Sequence, residues 1–274
     1  MTVVLLVVKQ QGERVESLVG TEIETTAKND LSYKLDVALQ QIALADSLLR
    51  EKVEASLASA SRLLEEAGGI RPSSARTWDW RATDQISKRT LSTTLPAWNV
   101  GDRPLPKVSD FESGKQVPIV DPVMQTLGDT ATLFQRMNAR GDMLRVATNV
   151  RKTDGSRAIG TYIPADSPVV QTVLSGETYV GRAFVVNRHY ITAYEPVRDA
   201  AGAIIGMLYV GTPEQTAAAQ LRANLSDVKV GETGYVFVID TSAHHAGDYI
   251  YSYQGKRDGE NILDARDADG RAFV

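Results

Sequence analysis

Three arginines, Arg145, Arg182 and Arg188, stand in or beside strand-like apolar runs, where a cation is unusual unless it meets a partner. A guanidinium presents a planar fork of N–H donors that matches the two oxygens of a carboxylate. The sequence leaves three assignments open: a structural ion pair with Glu195 or Asp199, an arginine on the solvent face, or a fork kept for the acid group of a ligand. Other chemistry-bearing side chains are sparse. His244 and His245 are adjacent in a polar stretch near Asp240 and Asp248. Neighbouring side chains on an extended segment point to opposite faces, so this reads as a solvated loop and not as a metal site. Asp267-Ala268-Asp269-Gly270 lacks the ligand spacing of a calcium loop and reads as a turn before a strand. The sequence contains no G-x-x-x-x-G-K, no G-x-S-x-G and no H-E-x-x-H. With no nucleophile or paired acid and base to place, a non-enzymatic chain is expected, with no cofactor and no metal.

The 274 residues, 43% of them hydrophobic, can bury one large or two modest cores. A net charge of -4, with both signs mixed along the chain, offers no basic stripe for a row of phosphates, so nucleic acid is not an expected partner. The absence of cysteine excludes disulfides and thiolate metal sites and leaves the compartment open. Val3-Val4-Leu5-Leu6-Val7-Val8 is an apolar run too short to span a bilayer. It has two readings: the end of a transmembrane helix whose first half is missing, which is preferred, or the start of a buried strand or helix. Neither the basic lead nor the small-residue cleavage site of a signal peptide accompanies it.

The arginines need a scaffold. From about Glu13 to Glu66 there is no proline, and Leu35, Ala38, Leu39, Ile42, Ala45, Leu49, Val53, Leu57 and Leu64 keep helical spacing. One continuous helix is predicted over Leu35–Leu64, ended by Gly68-Gly69 and Pro72. At about 1.5 Å per residue, some fifty residues reach roughly 75 Å. Such a helix must project, pair with another, or rise from a membrane. Residues 71–121, rich in Ser, Thr, Trp and Pro, read as irregular structure with one or two short strands. Five strand-length runs follow: Ala131–Met137, Met143–Val150, Thr178–Val186, Tyr190–Val197 and Ala203–Gly211. Most are joined as hairpins, and a helical piece lies near Ser167–Leu174, which points to an antiparallel sheet carrying helices. A polar amphipathic helix is read over Pro213–Leu225, then a strand over Gly234–Asp240 that opens a sheet which does not finish.

Within this frame, Ala131-Thr-Leu-Phe-Gln-Arg-Met-Asn138, Gly141-Asp-Met-Leu-Arg-Val-Ala-Thr-Asn-Val150 and Arg157-Ala-Ile-Gly-Thr-Tyr-Ile-Pro164 form a recognisable text. It continues in Gly181-Arg-Ala-Phe-Val-Val-Asn187, Thr192-Ala-Tyr-Glu-Pro-Val197 and Gly206-Met-Leu-Tyr-Val-Gly211. The chain resembles the Cache 3/Cache 2 fusion domain of bacterial methyl-accepting chemotaxis proteins and related sensor kinases and cyclases, densely over about eighty residues. The resemblance implies an α+β fold: a long N-terminal helix, then a PAS-like antiparallel sheet, then the start of a second, smaller module. Together with the runs read above, the resemblance divides the chain into a membrane-proximal helix (1–70), a main Cache module (71–226) and an incomplete Cache-like module (227–274), whose Asp240–Tyr249 stretch is expected from its polar residues to be mobile and solvated. It also implies a periplasmic sensor tethered to the inner membrane, a homodimer in the intact receptor, and a small-molecule ligand that carries a carboxylate. A periplasmic capture protein of the same fold without its own output is the alternative. The ligand would lie between the sheet and the loops that cross it. By position in such sensors, Arg145 and Arg182 would be the pocket cations, Tyr179 and Tyr194 a hydroxyl and a flat wall, and Gln135 an added amide. Strand alternation sets Tyr179 and Arg182 on opposite faces unless Gly181 forms a bulge.

Overall fold

The structure, a computed structural model, describes residues 3–7, 19–109, 111, 114–186, 188–213, 229–230, 234–241, 246–266 and 270–272. In chain order its elements begin with strand β1 (Val3–Val7) and helix α1 (Val19–Glu66), followed by β2 (Ile70–Asp84), β3 (Thr90–Val100) and β4 (Arg103–Pro104). Helix α2 (Val120–Leu127), β5 (Thr130–Arg136), β6 (Met143–Thr148), β7 (Thr161–Ile163) and helix α3 (Pro168–Leu174) come next. The series ends with β8 (Tyr179–Val185), β9 (Arg188–Arg198), β10 (Ile204–Pro213), β11 (Lys229–Val230), β12 (Gly234–Asp240) and β13 (Tyr249–Tyr251). The predicted helix over Leu35–Leu64 lies unbroken within α1. Gly68 and Gly69, both at positive φ, end it, and their N–H groups donate to the carbonyls of Glu65 and Leu64, each at 2.9 Å. The chain falls into two units: Leu48–Glu214, and Met1–Ser47 together with Gln215–Val274.

The larger unit is built on a nine-stranded sheet in the order β4-β3-β2-β7-β6-β5-β10-β9-β8, antiparallel except where β2 meets β7. One face packs on the last turns of α1 through Val53, Leu57, Ala60 and Leu64, with Leu133, Leu144, Val146, Ile191, Ala193, Val197, Leu208 and Val210 from the strands. The spacing of those four helix residues places them on one stripe, which is the reason this half of the predicted apolar repeat is buried. The opposite face carries Phe134, Met143, Tyr190, Tyr194, Met207 and Tyr209 beneath α3, which adds Val169, Val170 and Val173. Strands β5, β6 and β10 are therefore covered on both sides. This explains why their sequences are nearly continuous in apolar residues and do not alternate.

Residues 71–104 hold more regular structure than the sequence suggests. Strands β2 and β3 form a long hairpin, and Trp80, Leu95 and Trp98 are buried on it. The prolines are accommodated at its weak points: Pro72 borders an irregularity in the β2–β3 register, and Pro104 sits on the edge strand β4.

In the smaller unit, β12 lies inside a four-stranded sheet, paired with β1, β11 and β13. The run Val3–Val7 returns as an antiparallel partner of β12, so the sheet that opens at Gly234 takes one strand from the start of the sequence. Of the two readings of that run, the strand is the one observed. Its pairing covers one edge of β12. Phe237, Ile239 and Ile262 form the core here, with Phe237 edge-on to Tyr249 at 5.4 Å. The Pro213–Leu225 helix beyond Pro213, the histidines His244 and His245, and Asp267 to Asp269 lie outside the described residues.

Candidate ligand site

Arg145 is the anomaly of the larger unit. It stands on β6 and is only 1% exposed, yet among the described residues it faces no carboxylate. One guanidinium nitrogen donates to the Thr161 hydroxyl, which in turn donates to the Ala158 carbonyl at 3.0 Å. The guanidinium carbon sits 4.8 Å from the centre of the Phe134 ring, and Nε is buried without a hydrogen-bond partner. Burial pulls this guanidinium below its ordinary value, while the tyrosines Tyr194, Tyr209 and Tyr190 are the titratable groups that face it. A buried cation so poorly compensated is costly.

The local register explains how it arrives there. Leu133 pairs with Ala147 and Phe134 with Arg145, so Val146 is an extra residue in a β-bulge. Ala147 stays with Leu133 on the helix face, and Arg145 stays with Phe134 on the other.

Beside the arginine runs a row of tyrosines from three strands. Tyr194 is paired with Tyr179 on β8 and with Tyr209 on β10. Ring centres are 6.1 Å apart for Tyr179 and Tyr194 and 4.9 Å for Tyr194 and Tyr209, and Phe134 lies 6.3 Å from Tyr194. Burial raises Tyr194 and Tyr209 far enough that both are neutral phenols at physiological pH. The Tyr209 hydroxyl is 3.0 Å from that of Thr130, whose single hydrogen goes to the Gly211 carbonyl at 2.7 Å. Tyr209 is therefore the donor in that pair, and its hydrogen is committed. Two glycines make room for the rings. A side chain on Gly181 would meet the Tyr179 hydroxyl at 2.9 Å, and one on Gly211 would meet that of Tyr209 at 2.2 Å.

The structure thus brings Arg145, Tyr179 and Tyr194 to one face. Arg182 and Gln135 do not join them. Arg182 pairs with Ile191, a residue of the helix face, and the β8–β9 register has no bulge at Gly181 that would turn it around. Gln135 alternates with Phe134 to the helix face, where its amide donates to the Pro96 carbonyl at 3.0 Å. The partners considered for the arginines are used otherwise: Asp199 accepts the N–H groups of Ala201 and Ala203, and Glu195 is bonded by Ser61. Phe134, Thr161, Tyr190 and Tyr209 were missed. Tyr209 could have been found by continuing the alternation Met207, Tyr209 along β10, but its pairing with Tyr194 depends on register. Among the described residues no group of three metal-ligating side chains is assembled, and no helix is long and apolar enough to cross a membrane.

A long helix backing one face of an antiparallel sheet, with a polar cluster buried on the other, defines the α+β, PAS-like class of sensor folds. The family model described as the Cache 3/Cache 2 fusion domain matches residues 16–274, and the chain belongs to this family. No curated protein sequence matches the chain. Similar solved structures include the ligand-binding domain of a Pseudomonas aeruginosa amino acid chemoreceptor in complex with GABA (17% identity, TM-score 0.30, 53% of this chain and 58% of that one). Another is the ligand-binding domain of a Campylobacter jejuni chemoreceptor in complex with L-valine (14% identity, TM-score 0.35, 74% of this chain and 66% of that one). A third is the periplasmic sensory domain of another Campylobacter jejuni chemoreceptor (11% identity, TM-score 0.33, 84% of this chain and 74% of that one). The chain therefore spans less than two thirds of the length of the first two.

Proposed function

We propose that this chain is the extracytoplasmic, ligand-sensing part of a bacterial transmembrane receptor of the chemotaxis kind, and that it takes a small molecule on the tyrosine face of its large sheet. Family membership supports the sensor role. The observation that carries the site is Arg145, buried without a carboxylate beside Tyr194. An anion arriving there would relieve a cost that the protein otherwise bears alone. In the intact receptor the module is tethered to the inner membrane and faces the periplasm. It pairs with a second copy along α1, where Tyr33, Leu44 and Leu48 are exposed apolar residues. It performs no chemistry. Ligand closure over the sheet biases the helix between two states.

A thermal-shift screen over acids, amino acids, amines and neutral metabolites tests this reading, since a ligand that binds only the native state raises Tm. Arg145→Ala should weaken binding of the hit by about 2–5 kcal/mol, the cost of truncating one partner of a buried charge pair. A hit whose binding is indifferent to that change would place the ligand elsewhere.

A further inference from the structure

All three tryptophans of the chain, Trp78, Trp80 and Trp98, line one small cavity between the β2–β3 hairpin and the main sheet, together with Pro106, Lys107 and Gln135. Trp80 and Trp98 belong to the core on the helix face, so the cavity is separate from the tyrosine row on the other face. Its volume is about 10 Å³, room for one oxygen-sized atom. Trp98 packs here against Gly206, where a side chain would meet the indole ring at 2.5 Å. Trp80 is 5% exposed, and its indole N–H is buried without an acceptor. Gln135 is equally buried; its amide nitrogen donates to the Pro96 carbonyl, and among the described residues its amide oxygen accepts no hydrogen. Each unmet group carries a desolvation cost until something bonds to it.

One donor and one acceptor around a single-atom space select the group that enters. A carboxylate or carbonyl oxygen only accepts, an ammonium only donates, and a hydroxyl does both. The ring faces are already used by a cation, since the Lys107 ammonium stands 4.2 Å from the centre of the Trp80 ring and 5.7 Å from that of Trp78. A second cation is therefore repelled. Lys107 donates once, to the Asp79 carbonyl at 2.9 Å, and an ammonium has further N–H groups to give. Trp78 is 36% exposed and offers ring surface to a molecule arriving from solvent.

We propose that this cavity is a second binding site, independent of Arg145, for a neutral polyhydroxylated molecule of the monosaccharide or polyol class. One hydroxyl enters the cavity, accepts from Trp80 and donates to Gln135. A neighbouring hydroxyl accepts from Lys107, and the C–H face of the carbon skeleton lies on Trp78.

The test uses the whole chain, with D-glucose, D-ribose and glycerol as probes against choline and acetate. Tryptophan emission is titrated and affinity is measured by calorimetry, for the wild type, Trp80→Phe and Gln135→Leu. Because no indole lies elsewhere in the chain, a change in emission reports on this cavity. Melting temperature is not used, since polyols raise it for most proteins by exclusion from the surface. At least one of the polyhydroxylated probes should shift the emission saturably. Trp80→Phe, which keeps an aromatic ring and drops the donor, and Gln135→Leu, which drops the acceptor, should each weaken its binding on the order of fivefold. Two variants on different strands keep the outcome independent of either one folding. Affinity unchanged in both would overturn the site, tighter binding of choline or acetate would overturn the ligand class, and no saturable response to any probe would overturn the proposal as a whole.

Discussion

Ser56 on α1 donates its hydroxyl at 2.7 Å to Asp129, a fully buried carboxylate at the threshold of β5. The Lys52 ammonium and the Thr212 hydroxyl each reach its other oxygen, also at 2.7 Å. Three donors from the helix and from the end of β10 thus converge on one carboxylate, and the residue after it, Thr130, receives the hydroxyl of Tyr209. Helix, sheet and candidate site meet within two residues of sequence. Asp129→Ala leaves the buried Ser56 and Thr212 hydroxyls without their acceptor and should destabilise the chain by about 1–3 kcal/mol in urea unfolding. A loss below about 1 kcal/mol, the scale of a surface pair, would show that the network does not hold the helix to the sheet.

The two central tyrosines should behave alike. Tyr194 is bonded to Thr192, whose own hydrogen goes to the Gly181 carbonyl, and Tyr209 donates to Thr130, so each hydroxyl is committed within the fold. Tyr194→Phe and Tyr209→Phe should each lower stability by about 0.5–1.5 kcal/mol in urea unfolding. A loss at only one of the two would show that the other hydroxyl does not hold its threonine.

Glu195 gives a pH signature. Burial raises its carboxyl above the ordinary value of 4.5; the Ser61 hydroxyl opposes this and nearby Glu65 adds to it. A carboxyl raised in the folded state binds more protons there than when unfolded, so between its unfolded and folded values stability falls as pH rises. Above that window the ionised group is a constant burden. Glu195→Gln should therefore match the wild type in acid and exceed it in Tm by a margin that grows through the window and levels off toward neutral pH. A constant difference at all pH values would contradict the assignment.

The exposed residues Leu44 (60%) and Leu48 (56%) lie one turn apart on α1. The native chain has no cysteine, so Leu44→Cys and Leu48→Cys each report on one position alone. Pairing along the helix predicts oxidative cross-linking of these variants at high concentration and none for a control cysteine at Ser59, whose hydroxyl bonds its own helix at the Ala55 carbonyl. Equal cross-linking at all three positions would indicate random collision.

The main sheet was legible because its strands are short, apolar and separated by turns, and the long helix because the stretch from Val19 to Glu66 holds no proline. The β2–β3 hairpin was obscured by Pro72, Pro96 and Pro104, which read locally as breakers and are absorbed at irregular or edge positions. At the site, alternation alone correctly warned that Tyr179 and Arg182 face apart. It could equally have separated Gln135 from Phe134's side of β5. Alternation does not reveal which residues on different strands stand opposite one another, so the Tyr179, Tyr194, Tyr209 row and the Phe134–Arg145 pair emerge only with register.

The pairing of β1 with β12 brings Val3 beside Asp240. The larger unit is contiguous in sequence, so its contacts can form as soon as the ribosome has released it, whereas the smaller sheet must wait for β12, which is made after the whole of that unit. Loop closure over that distance costs only a slowly growing entropy, but contacts so far apart form late. Until β12 emerges, the apolar strand Val3–Val7 has no sheet partner. During that interval it is the part of the chain most in need of protection by a chaperone.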